Sequence, residues 1–367
     1  MADITERLRK RIVAGDWHPS ERLPSQTALK REYHASHLTV QRAIHRLVEQ
    51  GFVATQERSG VFVGSRLPHH HDYALIFAEA AAKVKTWSRF YTGLLNAAPS
   101  VARQQGCQLP LFFGIDAQHT GPDYERLSQL VEERRLAGLI FVQGEHYVAE
   151  TPLLRQPDLV RVALSTGHTY ANLPVVSYDP REFVLRAFRY FVGHGRQRVA
   201  LVTVPPTSDI ATGIAYHFER ELTTNNLISR PYWTLHVSAQ EPVAARNCVR
   251  LLMEANPSDR PDALLIADDN LVEDAVQGLI SAGVRVPQDL VVVAHSNLPW
   301  AGHQRLPLAW LGFDTAHVLQ LCIELLRQQQ RGEHVPPQTW ITPTFSPGTA
   351  APVQVLGAGV GGERNGH

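Results

Sequence analysis

Ser36-His37-Leu38-Thr39-Val40-Gln41-Arg42-Ala43-Ile44-His45-Arg46-Leu47-Val48-Glu49-Gln50-Gly51-Phe52 decides how the first part of the chain is read. Val40, Ala43, Ile44 and Leu47 recur at the spacing of one helical face. Ser36 stands where an N-cap is wanted, and Gly51 where a helix stops. His37, Leu38, Gln41, Arg42, His45 and Arg46 are left facing outward. Upstream, Ile4, Leu8 and Ile12 with Val13 mark another amphipathic helix, which Gly15 ends. Pro24-Ser25 opens a short second helix with Ala28, Leu29 and Tyr33 inward. Downstream, Phe52 to Thr55 and Gly60 to Val63 are short apolar strands, and Arg58-Ser59-Gly60 turns between them.

Three short helices followed by a hairpin form a winged helix-turn-helix pattern. A helix about 10–12 Å wide fits the major groove, and its N-terminal outward residues meet base edges first. Gln suits adenine and Arg suits guanine. Periodicity alone leaves a second reading open, in which these are solvated polar residues on a small helical bundle.

The composition narrows the classes. The chain has 367 residues, 44% hydrophobic, with 35 basic and 35 acidic side chains. That length suits two or three domains with substantial cores. The balance excludes a wholly basic nucleic-acid coat and an acidic disordered chain. It conceals an asymmetry: residues 1–66 hold eleven Lys/Arg against seven Asp/Glu, and the remainder is acidic. A basic module on an acidic body points to a polyanionic partner. Cys107, Cys248 and Cys322 are scattered and odd in number, which suits thiols in a reducing compartment. The first thirty residues lack an apolar core, and no apolar run is long enough for a membrane span. The expectation is no secretory signal, no membrane and a cytoplasmic location.

From Tyr73 onward, strand and helix signals alternate. Expected strands include 73–77, 108–113, 138–142, 159–164, 175–176, 199–204, 233–237, 263–267 and 290–294. Helices are expected over 90–104, 124–134, 181–193, 214–225, 243–255, 271–282 and 317–331. Such alternation implies parallel sheets covered by helices, with enough chain for two lobes. Ligands in such folds sit beyond the carboxyl ends of strands, and two lobes can close on a small molecule.

The wording supports both parts. Residues Ile4 to Ile12, Gly15, Pro19, Leu23-Pro24-Ser25, Leu29, Ser36, Thr39-Val40, Ala43, Leu47, Gly51-Phe52 and Gly60 to Val63 resemble the DNA-binding domain of the GntR family of bacterial repressors. The family's basic DNA contacts are replaced here by Thr27, His37 and Gln41, while Arg42 and Arg58 remain. The resemblance implies DNA contacts among Ser25, Thr27, Ser36, His37, Thr39, Gln41, Arg42, His45, Arg46, Arg58, Ser59 and Gly60. Gly193 to Val202, Pro261 to Asn270, Gly283 to Val293 and Gln328 to Pro337 resemble the effector-binding core of the LacI/GalR repressors, itself similar to periplasmic sugar-binding proteins. A GntR-type head on this body matches the architecture of the arabinose-repressor subfamily.

The resemblance implies effector contacts at Trp87, Ser88, Arg89, Phe90, Gln143, Asp179, Asp268, Asp269, His295, Ser296 and Asn297. Carboxylates and amides suit sugar hydroxyls, and Trp87 or Phe90 offers a stacking face. Asp269 has a second reading as the cap of the helix that follows. The family's pocket Arg falls at Ile210, and its acidic residue after the 291–294 strand becomes Ser296 or Asn297. Both losses shift the expectation from a plain neutral sugar toward an anionic or phosphorylated one, which Arg89 and His295 would suit.

Two motifs are decoys. His69-His70-His71 lacks a second ligand cluster, so no metal is expected. Gly357-Ala358-Gly359-Val360-Gly361-Gly362 fits a dinucleotide fingerprint, but too few residues follow for the required helix and strand. No cofactor is expected. A fused aminotransferase-like body would need a Schiff-base lysine in its second half, and Lys83 and Lys85 are the last lysines. The reading is therefore a non-enzymatic α/β protein with four parts. A winged helix-turn-helix spans 1–66, a linker 67–72, a two-lobed periplasmic-binding-protein-like domain 73–350 and a Gly-rich tail 351–367. The expected function is a homodimeric repressor of double-stranded operator DNA, modulated by a sugar or sugar derivative between the lobes. The alternative is a periplasmic-type solute receptor without a DNA role.

Overall fold

Helix α1 (Ile4–Val13) packs Leu8 and Ile12 against α2 (Gln26–Glu32) and α3 (His37–Glu49). Leu29, Val40, Ala43, Ile44 and Leu47 complete this small core. Ser25 caps α2 by accepting from the Ala28 N–H at 3.2 Å, and Ser36 caps α3 by accepting from the Thr39 N–H at 3.1 Å. Strands β1 (Val53–Gln56) and β2 (Gly60–Val63) form the antiparallel wing, with Phe52 and Val63 sealing it to the helices.

The computed structural model describes residues 4–56, 59–80, 89–115, 121–142, 151–154, 159–165, 173–205, 213–298 and 305–346. The chain divides into two units. One contains 1–85, 94–177 and 316–339; the other contains 86–93, 178–315 and 340–367.

In the first unit a short helix α4 (Pro68–His71) follows the wing, where the sequence suggests only a linker. Strand β3 (Tyr73–Phe77) comes next, then α5 (Arg89–Gln105), which crosses between the units. They are followed by β4 (Leu111–Phe112), α6 (Pro122–Glu132), β5 (Gly138–Val142), β6 (Val160–Ser165) and β7 (Val175–Tyr178). The sheet order is β4-β3-β5-β6-β7, parallel throughout these pairs, with β13 (Gln338–Ile341) at the edge beyond β7. Ala74, Ile76, Leu139 and Phe141 from the strands meet Tyr124, Leu127 and Val131 of α6 in one core. Strands buried on both faces carry continuous apolar runs, as Tyr73–Phe77 and Gly138–Val142 do.

The second unit runs α7 (Pro180–Gly193), β8 (Val199–Thr203), α8 (Ile214–Thr224), β9 (Thr234–His236) and α9 (Val243–Glu254). It continues through β10 (Ala263–Ile266), α10 (Asp269–Ser281), β11 (Val291–Leu298), β12 (Ala309–Asp314) and β14 (Thr344–Phe345). Helix α11 (Thr315–Gln330) leaves from the end of β12 and runs into the first unit. The sheet order is β14-β12-β11-β10-β8-β9, with only the β12–β14 pair antiparallel among the described pairings. Helices α9 and α10 pack on this sheet through Val249, Leu252, Leu271, Val272, Ala275 and Leu279. The two helices approach closely because Gly278 has no side chain: a Cβ there would lie 2.4 Å from the Arg246 carbonyl oxygen.

Among the described residues, no helix is long and apolar enough to cross a membrane. Cys107, Cys248 and Cys322 are free thiols. The three histidines lie in and beside the α4 turn, and no metal-holding group of His, Cys, Asp or Glu occurs among the described residues.

That turn carries opposing titrations. His69 is pushed down to about 4 by burial first, then by His70, His71 and Arg134. Asp72 is pushed up to about 6 by burial, against Arg135 and Arg66. The depressed histidine costs stability as pH falls from its ordinary 6.5 toward 4. The elevated carboxyl costs stability above 6, and that cost is relieved as pH falls toward 3.8. The two contributions largely cancel between pH 6 and 4. Replacing Asp72 with Asn is expected to unmask the histidine. Relative to the parent, the variant loses about 1–2 kcal/mol between pH 6.5 and 4, a figure reduced for partial exposure. Urea unfolding at pH 7.0 and 4.5 measures the difference, and parallel pH profiles for both proteins would refute it.

Candidate DNA-binding face and effector site

The head presents one polar face. Thr27, His37, Thr39, Gln41, Arg42, His45 and Arg46 are all exposed, as the amphipathic pattern of α3 requires. Ser25 and Ser36 spend their side chains as helix caps, and the Ser36 and Thr39 hydroxyls lie 2.7 Å apart. Arg42 makes no ion pair among the described residues, so its guanidinium is available. His45 leans on Glu49 at 3.4 Å. Arg46 stands nearer the C-terminal end of α3 and lines a cavity with Glu132 and Arg135 of the body. Ser59 is exposed on the wing and Gly60 has φ +115°. Arg58 lies outside the described residues.

Two further residues join this face. Leu38 is 54% exposed at the start of α3, where an apolar side chain can meet a thymine methyl. Arg22 lies over the wing: a Cβ on Gly60 would sit 3.0 Å from its Nε. Arg22 reaches that place through an isolated bridge to Phe62, a non-local pairing that leaves no periodic trace in sequence.

The second unit gathers most of the described effector candidates at the carboxyl ends of its strands and the start of α10. Asp268 is the α10 cap: its Oδ1 accepts from the N–H and the side-chain Nδ2 of Asn270, both at 2.9 Å. Asp269 is therefore relieved of capping. It is 6% exposed and receives a short hydrogen bond from the Asn297 Nδ2. Burial pushes the Asp269 carboxyl up, and His295 pulls against that shift. Asn297 is 3% exposed, and its Oδ1 has no partner among the described residues.

Strand β11 runs through His295, Ser296 and Asn297, where the sequence suggested a loop after the strand. Alternation puts His295 and Asn297 on one face and turns the buried Ser296 to the other. Both ring nitrogens of His295 lack partners among the described residues. Its ring stands edge-on to Phe183 at 5.4 Å and to Phe313 at 5.8 Å. Tyr178 stacks on Phe313 at 4.1 Å, and Phe90 meets the Tyr178 ring at 5.2 Å. Asp179 is occupied as the cap of α7, accepting from the Glu182 N–H at 2.9 Å. Trp87, Ser88, Gln143 and Ile210 lie outside the described residues.

Arg89 is held by two residues of α10. Its backbone N–H donates to the Asn270 Oδ1 at 3.0 Å, and its guanidinium pairs with Glu273 at 2.9 Å. The partly exposed pair offsets the Arg89 charge without burying it. The group offers acceptors, one imidazole and aromatic faces: a setting for a ligand rich in O–H or N–H donors.

A DNA-recognition head on a body of the ligand-binding-protein class is what the fold and these two sites define. Residues 1–63 match the model of the GntR family of bacterial regulatory proteins, and residues 188–349 match that of the periplasmic binding protein-like domain. The arabinose metabolism transcriptional repressor of Halalkalibacterium halodurans is 20% identical over 90% of this chain and 91% of its own. The PurR-named HTH-type transcriptional repressor of Aliivibrio salmonicida is 19% identical over 68% of this chain and 74% of its own. The fold is shared with a glucose-bound LacI family transcriptional regulator from Lactobacillus casei, at TM-score 0.55 and 17% identity over 76% of this chain and all of that one. The chain thus joins a GntR-type winged helix-turn-helix to a periplasmic-binding-protein-like domain, and is similar over most of its length to an arabinose repressor. It is a ligand-modulated DNA-binding regulator.

Proposed function

We propose that the protein is a cytoplasmic repressor that binds a two-fold operator as a homodimer and responds to a neutral, hydroxyl-rich sugar or sugar derivative. The domains run 1–66, 73–350 and a tail beyond, with the effector contacts on the second unit. What supports the DNA reading is the capped start of α3, where His37, Leu38, Gln41 and Arg42 stand exposed together. Gln41 and His37 read bases, Arg42 holds a base or phosphate, and Arg22, Arg58 and Ser59 reach the backbone from the wing. A dimer matches two such helices to half-sites about one helical turn apart.

The sugar reading is supported by Asp269, Asn297 and His295 facing one another with unused hydrogen-bonding capacity, beside aromatic rings. Buried acceptors of this kind accept from hydroxyls and discriminate against ligands that cannot donate. With Arg89 paired to Glu273, a neutral sugar fits better than a sugar phosphate. The effector changes operator affinity by no more than its preference between the two body states.

Replacing Arg42 with Ala is expected to weaken operator binding by about 1–3 kcal/mol if it reads a base. For the parent, log affinity falls with log salt by about 0.9 per phosphate neutralised. Fluorescence anisotropy over a salt series measures both quantities. A salt-independent affinity, unchanged in Arg42→Ala, would contradict the DNA-binding face.

A further inference from the structure

Between the wing and the first strand of the body, the chain has little slack. The Gly64 N–H donates to the Phe52 carbonyl at 2.9 Å, and Leu67, 4% exposed, belongs to the head's core. Pro68 packs over Gly51, at 3.4 Å from where a Cβ there would be. The His69 ring then stacks on Phe52 of the head, with centroids 5.8 Å apart and planes 19° apart. On the body side, Arg66 donates to the Gly106 carbonyl, and the Asp72 carbonyl accepts from Ala137 at 2.6 Å. Residues 64–72 are thus tied alternately to the head and to the lobe.

Beside the joint the head–lobe face is charged. A cavity of 580 Å³ opens there, lined among others by Arg9, Arg46 and Glu49 of the head and Glu132, Glu133 and Arg135 of the lobe. Ion pairs between partly exposed groups contribute about 0–1 kcal/mol each. The joint adds to these charges a contact of buried apolar and aromatic surface.

We infer that residues 64–72 form a structured joint that fixes the head's orientation on the first lobe, with the His69–Phe52 stack as its pin and the chain's own lobe as the head's partner. A fixed head transmits a movement of the lobe to α3 directly. A loose tether would absorb it, because a flexible linker lets the head sample many orientations at little cost. The consequence for DNA, which rests on the proposed dimeric operator reading, is strict dependence on half-site spacing.

Amide hydrogen exchange on the full chain without DNA tests the joint itself. The hydrogen-bonded amides of Gly64, His70 and Asp72 should be protected at least tenfold in the parent relative to an unstructured chain. His69→Ala should accelerate them about tenfold, and His69→Phe, which keeps a stacking ring without the imidazole, should restore protection to within threefold. Exchange at unstructured rates in the parent, or no acceleration in His69→Ala, would overturn the inference. Acceleration that His69→Phe leaves in place would also overturn it, because the ring would then not be the pin.

The second readout is operator affinity when five base pairs, about half a helical turn, are inserted between half-sites. The parent should lose at least tenfold and His69→Ala less than threefold. Equal tolerance in both proteins would overturn the role in spacing. A parent that binds no operator at all would count against the DNA reading instead, and the exchange result would stand apart from it.

Discussion

Replacing Gly312 with alanine is expected to destabilise the second unit by about 3 kcal/mol or more. Gly312 pairs with Ser296 in the middle of the sheet, between β11 and β12. A Cβ at that position would sit 1.6 Å from the Ser296 carbonyl oxygen, and 2.7 Å from its carbonyl carbon. Neither atom is the end of a flexible side chain, so the strands themselves must separate. Overpacking of a rigid core costs about 1–3 kcal/mol where side chains can give, and more where backbone must move. The pairing also carries His295 and Asn297 on either side of Ser296, so the same change should displace the effector group. Calorimetry should show a transition of the second unit lowered by several degrees or lost, with the head's cooperative unfolding retained. A variant as stable as the parent would mean that β11 and β12 are not held in this register.

Replacing Asp269 with alanine is expected to remove the effector response while leaving ligand-free DNA binding intact. The carboxylate is buried, and its one described hydrogen bond comes from Asn297. In the ligand-free body, relief of a buried carboxylate offsets the loss of the Asn297 hydrogen bond, so the variant should stay folded. The bound state fares otherwise. A hydrogen bond from the ligand to a charged group contributes about 1.5–3 kcal/mol, and the variant loses that acceptor. Affinity for the responding sugar should fall about tenfold to a hundredfold. Thermal-shift titration with a panel of monosaccharides and their phosphates identifies the responder in the parent and measures the loss in the variant. A folded variant that keeps the full response would place the effector elsewhere. A response to the phosphates alone would contradict the neutral-ligand reading.

The head was legible because its signals are local. Caps at Ser25 and Ser36, the stripe of Val40, Ala43, Ile44 and Leu47, and the Gly51 stop each act within a few residues, and each appears in the structure. The continuous apolar runs at 138–142 and 199–203 announced buried parallel strands for the same reason. Strands β13 and β14 escaped because their pairing partners are distant and their polar residues, such as Gln338, Thr339 and Thr344, give no apolar run. The end of β11 escaped in a similar way. His295, Ser296 and Asn297 read as a polar loop after Val291 to Ala294, yet parallel pairing with 311–313 continues the strand through them.

The candidate effector group was legible as residue types but not as roles. Asp268 and Asp269 are neighbours of one kind in sequence, and only the hydrogen bond to Asn270 separates the cap from the free acceptor. Arg89 pairs with Glu273, on another element, and that pairing leaves no local trace in sequence. Phe183, Tyr178 and Phe313 come from three separate segments, and no spacing rule joins them.

The central claim is sequence-specific, two-fold DNA recognition by this head on this body. Selection of binding sites from random duplexes, using the purified full chain at fixed near-physiological salt with and without the responding sugar, tests it most directly. The account predicts enrichment of one two-fold-symmetric motif whose occupancy changes when the sugar is added. Failure to enrich any motif under both conditions would contradict it.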